Sequence, residues 1–379
     1  MRRTILIVPG MLSMPEADSF LRQKLPALTT FSEIGQLSRV APIPNSQTPE
    51  VLLLGMKPDT VRLNQGPLTV SAFGFDPPEK STHFHLSLMS FCDGTAVMPD
   101  AAPQPEEAEI LLNEAKRLNG RLLTICKGEG LDHGLVWEAF GDLGTTQPKV
   151  GQPLEIIKSL PEGDGDILLR RLIDDSINLL SELEINVRRV DEGLPPFNLL
   201  WPWGQGVRQK VPNLALSRGE PAWVESCSMR LAGLTRLTGY RHIDRAMFGR
   251  GLHTQFRSIA DRATKRDLTV IYIDAPVELR RQIKPEELEW FLRELDRNLL
   301  QPLIEDHVKT PSRLTLIAPG SLDGFAETDM QPSPVGLALS AESNVLSSSH
   351  MPFDERTLEE QKIAMIDLST LVLRGLLSE

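Results

Sequence analysis

Three short apolar runs constrain this chain most, at residues 4–8, 268–273 and 314–318. Each is continuous instead of alternating, and a strand tolerates that only where both of its faces are covered, as in the parallel sheets of α/β proteins. Helical patterns lie between them. Residues 285–304 place Leu288, Phe291, Leu292, Leu295 and Leu299 on one face of a helix, and residues 355–377 predict a terminal helix. The serine-rich stretch 340–350 reads as an exposed loop. A doubly wound α/β core follows from this alternation.

A second region interrupts the core early. Residues 83–89 alternate, with Phe84, Leu86 and Leu88 on one face and His83, His85, Ser87 and Met89 on the other, the pattern of a half-buried antiparallel strand. Residues 105–118 form an amphipathic helix with Glu106 and Glu107 in its first turn and Lys116 and Arg117 in its last, matching the helix dipole. A strand at 121–126 follows, and Gly163 to Gly165 introduce another helix. The expected organisation is a core of residues 1–72 and 189–379 split by an inserted α/β domain at 73–188.

Composition sets outer bounds on function. A net charge of −11 argues against a general nucleic-acid or anionic-membrane binder. Three widely spaced cysteines without a CxxC offer neither a disulfide frame nor a zinc site, and they fit a reducing compartment. The apolar run after Met1-Arg2-Arg3 stops at Pro9-Gly10, too soon for a signal peptide, and no run approaches the ~18 residues of a membrane span. A cytoplasmic protein is expected. His83 and His85 share a face, but no third ligand lies nearby, so a structural role is expected for both. The basic stretch 240–253, with Arg241, Arg245, Arg250 and His253, reads either as a solvated face or as an anion site.

The most unusual local feature is Asn198-Leu199-Leu200-Trp201-Pro202-Trp203-Gly204-Gln205-Gly206. In an extended segment Trp201 and Trp203 point to one face, and the glycines after them permit a tight turn or a close backbone approach. This stretch resembles the signature of the archaeal-type, cofactor-independent phosphoglycerate mutases of the alkaline phosphatase superfamily. Other segments are similar in the same order: Asn45-Ser46-Gln47 before an apolar run, Gly66-Pro67-Leu68, and Asn186-Val187-Arg188-Arg189. The resemblance implies an alkaline-phosphatase-like doubly wound sheet core with an inserted smaller α/β domain. It also implies an enzyme in which two manganese or zinc ions and a serine carry a phosphoryl group between phosphoglycerate hydroxyls.

Position by position, the residues for that chemistry are missing. The family's Pro-Asp-Gly is Pro9-Gly10-Met11 here. Its Glu-Ala-Pro-Asp-Glu-Ala-Gly-His is Asp274-Ala275-Pro276-Val277-Glu278-Leu279-Arg280-Arg281, with Val277 at a ligand aspartate and Arg281 at a ligand histidine. Its Asp-His pair is Pro319-Gly320, and a later histidine falls near Asp329. Asp306-His307 precedes its strand and does not replace that pair. Gln65 and Thr69 stand for an arginine and a glutamate, and Leu131-Asp132-His133 for Tyr-Arg-His. What the resemblance carries over is a remnant nucleophile, Ser46, and ligand-side residues His133, Asn186, Arg189, Trp201, Trp203 and Gln205, with no metal ligand and no cofactor. The expectation is a degenerate mutase-like scaffold that binds a small anion or a protein partner, with homo-oligomerisation open. The alternative is an active mutase or phosphohydrolase using Ser46 and two metals.

Overall fold

The computed structural model of the chain describes residues 1–12, 25–43, 49–57, 63–99, 101–149, 152–208, 210–320, 335–343, 351–360 and 362–377. In chain order the first strands are β1 (Arg2–Ile7), β2 (Gln36–Val40), β3 (Thr82–Cys92), β4 (Thr95–Val97), β5 (Leu123–Glu129), β6 (Asp132–Trp137), β7 (Leu143–Gly144) and β8 (Leu154–Glu155). There follow β9 (Glu162–Gly163), β10 (Leu199–Val207), β11 (Trp223–Glu225), β12 (Arg241–His242), β13 (Leu268–Tyr272), β14 (Ser312–Ala318), β15 (Gly336–Glu342) and β16 (Met365–Ile366). They divide between two compact units, Met1–Val61 with Pro212–Glu379, and Arg62–Val211.

The first unit is built on an eight-stranded sheet of order β12-β11-β13-β1-β14-β15-β2-β16. Its centre is parallel: β1 pairs with β13 on one side and with β14 on the other. These are the three apolar runs, and every residue of β13 and β14 is buried, as coverage of both faces requires. Helices supply that cover. The segment Pro285–Leu295 continues through a π-helical stretch, Asp296–Leu300, into Gln301–Lys309. The extra residue of a π turn redirects the helix face. Here the stretch contains Asp296, whose carboxylate accepts from Ala27 N at 3.0 Å and Leu28 N at 2.8 Å. It therefore caps the helix Pro26–Ile34, whose own N-cap, Leu25, has no side-chain acceptor.

Two expectations for this unit need correction. Residues 340–342 are strand, not loop: β15 lies antiparallel to both β14 and β2. The segment 355–377 is not one helix. It contains a 3-10 turn, Glu355–Glu359, then β16, and only then a helix, Leu368–Leu376. Asp367 sets that start, because its side chain accepts from Thr370 N at 2.8 Å.

The second unit holds a six-stranded sheet of order β5-β6-β3-β4-β8, with β10 added against β3. The tryptophan strand therefore belongs to the inserted sheet and not to the core. The helix Gln65–Ala72 belongs with it. A Cβ built on Gly66 would fall 2.2 Å from His83 O, and one on Gly204 would fall 2.7 Å from Gln65 Cβ. The two compact units divide at 61/62 and 211/212, beside the 72/73 and 188/189 expected from the sequence. Apolar side chains of one sheet face meet the helices Pro105–Ala115 and Asp166–Ser181 in a core of Phe84, Leu86, Leu88, Leu111, Leu135, Leu169 and Leu172. No helix among the described residues is long and apolar enough to cross a membrane.

Candidate functional site

In open α/β sheets ligands bind beyond the carboxyl ends of the strands. In the first unit those of β1, β13 and β14 come level, with Ile7 beside both Tyr272 and Ile317. Beyond β1 the chain runs Pro9-Gly10-Met11-Leu12, all buried, with Met11 and Leu12 in the hydrophobic core. Beyond β14 come Pro319-Gly320, also buried. Beyond β13 the helix Ala275–Arg281 begins at once.

Gly10 is closely confined. Its φ is +74°, and a Cβ there would lie 2.9 Å from Val277 N and 3.1 Å from Pro276 C. An L-residue is strained at that φ and would collide with main chain besides. The Gly10 carbonyl accepts from Arg280 Nε at 2.5 Å, and the same guanidinium reaches Met11 O at 3.5 Å. Arg280 is buried, whereas Arg281, the residue aligned with a ligand histidine, is exposed. Thus a guanidinium, two carbonyls and a helix backbone meet beside β1.

The acid at these ends is Asp274. Its carboxyl is pushed above the usual range by burial, and Arg250 nearby pulls the other way. Cys227, just past β11, donates to Asp274 Oδ1 at 3.4 Å. Burial, reinforced by the Asp274 charge, raises the thiol to about 12, so it is protonated and inert at neutral pH. Arg245 is buried and donates from Nε to Cys227 O at 2.8 Å. Of the basic stretch, Arg245 and Arg250 therefore approach this pair. Arg241 instead lies over the Trp223 ring at 5.1 Å, and His253 is exposed.

A two-metal centre sets a definite demand on its donors. Hard divalent ions take several carboxylate and imidazole ligands. Among the described residues no three His, Cys, Asp or Glu side chains converge, and Asp274 shares its surroundings with arginines. Ser46 and Asp329 lie outside the described residues.

The carried-over ligand residues all fall in the second unit, each with internal partners. Trp201 is fully buried and donates to Thr146 O at 2.8 Å. Trp203, on the same sheet face, donates to Ser87 Oγ at 2.9 Å, and its ring lies 4.7 Å from that of His85. Gln205 donates to Leu143 O and accepts from Thr145 Oγ1. Asn186 donates to Leu180 O and Phe197 O and accepts from Phe197 N, and Arg189 donates to Pro195 O with its guanidinium 4.2 Å from the Phe197 ring centre. Together these two secure the turn that leads into β10. His133 is set apart from the tryptophans, since it pairs with Leu86 and so occupies the opposite sheet face. Its Nδ1 accepts from Gly128 N at 3.1 Å, and burial lowers its pKa to about 4, so the ring is neutral.

A polar chain on the tryptophan face was not anticipated as a unit. Gln65 Nε2 donates to Thr69 Oγ1 at 3.1 Å, Thr69 Oγ1 lies 2.9 Å from His85 Nδ1, and His85 Nε2 lies 3.3 Å from Asp132 Oδ1. Asp132 and Thr69 thus fix both nitrogens of His85. Thr69 is wholly buried, so the chain orients an imidazole without presenting a nucleophile. Gln65, Thr69 and Asp132 each stand at a position where the family motif has a different polar residue. That shared departure was the available signal.

The chain matches no family model. It is 26% identical, over an alignment 399 positions long, to the 2,3-bisphosphoglycerate-independent phosphoglycerate mutase of Methanothrix thermoacetophila, covering 99% of this chain and 100% of the relative. It is 23% identical to the enzyme of that name from Methanosarcina mazei, covering 98% of each. Among solved structures, a protein of Pyrococcus horikoshii superposes with a TM-score of 0.76 at 16% identity, over 99% of this chain and 96% of that one. The cofactor-independent phosphoglycerate mutase of Thermoplasma acidophilum superposes with a TM-score of 0.63 at 17% identity, over 99% and 98%. The fold is therefore that of the cofactor-independent phosphoglycerate mutases, an alkaline-phosphatase-like core with an inserted α/β domain.

Proposed function

We propose that this chain, a relative of the 2,3-bisphosphoglycerate-independent phosphoglycerate mutases, is a scaffold on their fold that works by binding and not by two-metal phosphoryl transfer. Its ligand would be a small anion or a protein partner. One observation carries the reading: the position beside β1 where the family motif has an aspartate is a glycine at φ +74°, closed by Val277 and Pro276 main chain and held by Arg280. A metal-activated serine needs its carboxylate and imidazole ligands in place, because a serine hydroxyl is a poor nucleophile without them. Function resides in the site, so a fold can persist while its chemistry is lost.

The second reading is an active mutase converting 3-phosphoglycerate to 2-phosphoglycerate through Ser46 and two manganese or zinc ions. Full-length similarity to curated mutases favours it, and on the comparisons alone it stands ahead of the first. Strand-end chemistry favours the first.

Metal content after incubation with manganese and zinc, measured beside the 3-phosphoglycerate assay, separates them. The scaffold reading expects no stoichiometric metal and no turnover. About two metals per chain, with turnover that Ser46→Ala abolishes, would establish the mutase and overturn the scaffold.

A further inference from the structure

The inserted unit carries a groove that none of the chemistry above uses. It lies between the 3-10 turn Lys116–Leu118, the start of β5 and the helix Asp166–Ser181. Its volume of ≈ 410 Å³ falls in the range of small-molecule sites, about 300–1,000 Å³. The walls are of two kinds. Leu118, Leu122 and Leu168 supply apolar surface, with Leu122 left 44% exposed. Arg117, Arg121 and Arg171 stand around it.

The charges define the occupant. Arg117 pairs with Glu114 at 2.7 Å and Arg171 with Asp175 at 3.4 Å, both through well-exposed arginine side chains. Such surface pairs are worth little and yield readily to a better acceptor. Arg121, exposed on the rim, makes no ion pair with any described residue. Three arginines against two carboxylates leave one net positive charge on a chain whose overall charge is −11. That balance suits a single anionic head better than a polyanion. The leucines ask for an apolar body joined to it, since exposed apolar surface inside a concave site is stabilised by being covered.

We propose that this groove binds an amphipathic monoanion of the acyl-carboxylate class, its chain on Leu118, Leu122 and Leu168 and its carboxylate on Arg121. A guanidinium takes a carboxylate through two parallel hydrogen bonds, which a neutral head cannot receive as strongly. The inference does not depend on what the strand ends of the other unit do.

Octanoate tests it by titration calorimetry on the full chain, with acetate and 1-octanol as the separated halves. Octanoate should bind at one site per chain, and each half should bind at least about tenfold more weakly (~1.4 kcal/mol). Arg121→Gln, an exposed change that should leave thermal unfolding unaltered, should weaken octanoate about tenfold and leave 1-octanol untouched. No octanoate binding at millimolar concentration would overturn the proposal, as would equal binding of 1-octanol. Undiminished affinity in Arg121→Gln would do the same. Sedimentation showing self-association that Leu122→Asp abolishes would assign the groove to a second copy of the chain instead.

Discussion

Gly10 shows how one residue can decide the character of a site. Its backbone lies in the left-handed region, and the space a side chain would need is held by Val277 and Pro276 main chain. The conflict begins at Cβ, so it does not depend on which residue is introduced. Arg280 adds a second constraint by binding the Gly10 carbonyl from a buried position. Gly10→Asp, which restores the residue type of the family motif, should therefore destabilise the chain by about 1–3 kcal/mol, and Gly10→Ala by nearly as much. Urea unfolding midpoints measure both. Metal analysis of Gly10→Asp should still find no stoichiometric manganese, because Val277 and Pro319-Gly320 offer no further ligands. A stable Gly10→Asp chain that gains manganese would show that the strand ends are open after all.

At the scale of the element, β10 explains what the tryptophan motif is for in this molecule. Trp201 and Trp203 share a face, as their spacing predicts, and both indole N–H groups are satisfied inside the unit. The two glycines are needed because the segment that opens the helix Gln65–Ala72 lies across them: a Cβ on Gly204 would meet Gln65 Cβ at 2.7 Å, and one on Gly206 would meet Asn64 at 2.8 Å. Gly204 also has φ +64°. Gly204→Ala should thus cost about 1–3 kcal/mol, through strain and displacement of Gln65. Trp203→Phe should cost only about 0.5–1.5 kcal/mol, the loss of one hydrogen bond with most of the ring contact kept. Thermal unfolding of the two variants reads the order directly, and a reversal would mean that the turn tolerates a side chain. The same strand marks where sequence reasoning reached its limit. Continuous apolar runs announced β1, β13 and β14, and alternation announced β3 as a strand, but not as the half-buried one expected, because His83, His85 and Ser87 are buried on its other face too. Which sheet β10 joins was not legible, since that depends on Gly66 and Gly204 admitting a helix whose contacts have no local period. Ser340 concealed β15, and the terminal helix expected over 355–377 starts only after Asp367. At the candidate site, positions could be matched by resemblance, but whether Asn186, Trp201 or Gln205 was already engaged required their partners to be seen.

Across the whole molecule, buried histidines set the response to acid. His83 and His133 in the inserted unit and His242 in the core are each lowered from 6.5 to about 4, with burial the largest cause. Each has one ring nitrogen without a hydrogen-bond partner among the described residues, so protonation would bury a charge and an unpaired N–H together. A histidine depressed in the folded state contributes stability that is complete above its unfolded value, near 6.5, and is lost as pH falls toward about 4. Asp274 and Asp296 act in the opposite sense. Their carboxyls are raised by burial, so their contribution is present in acid and is lost as pH rises through the folded values. Both are held back, because the Cys227 thiol and Arg250 favour the charged form of Asp274 and two backbone N–H groups favour that of Asp296. Three histidines displaced over the full interval should therefore prevail, and stability should fall from pH 7 to pH 4.5 by on the order of 1–3 kcal/mol per histidine. Calorimetric unfolding across that range checks the sign, and a melting temperature that held steady or rose in acid would contradict it. His242→Gln assigns a share of the loss: removing one of the three histidines should lessen the fall in stability between pH 7 and pH 4.5 without abolishing it.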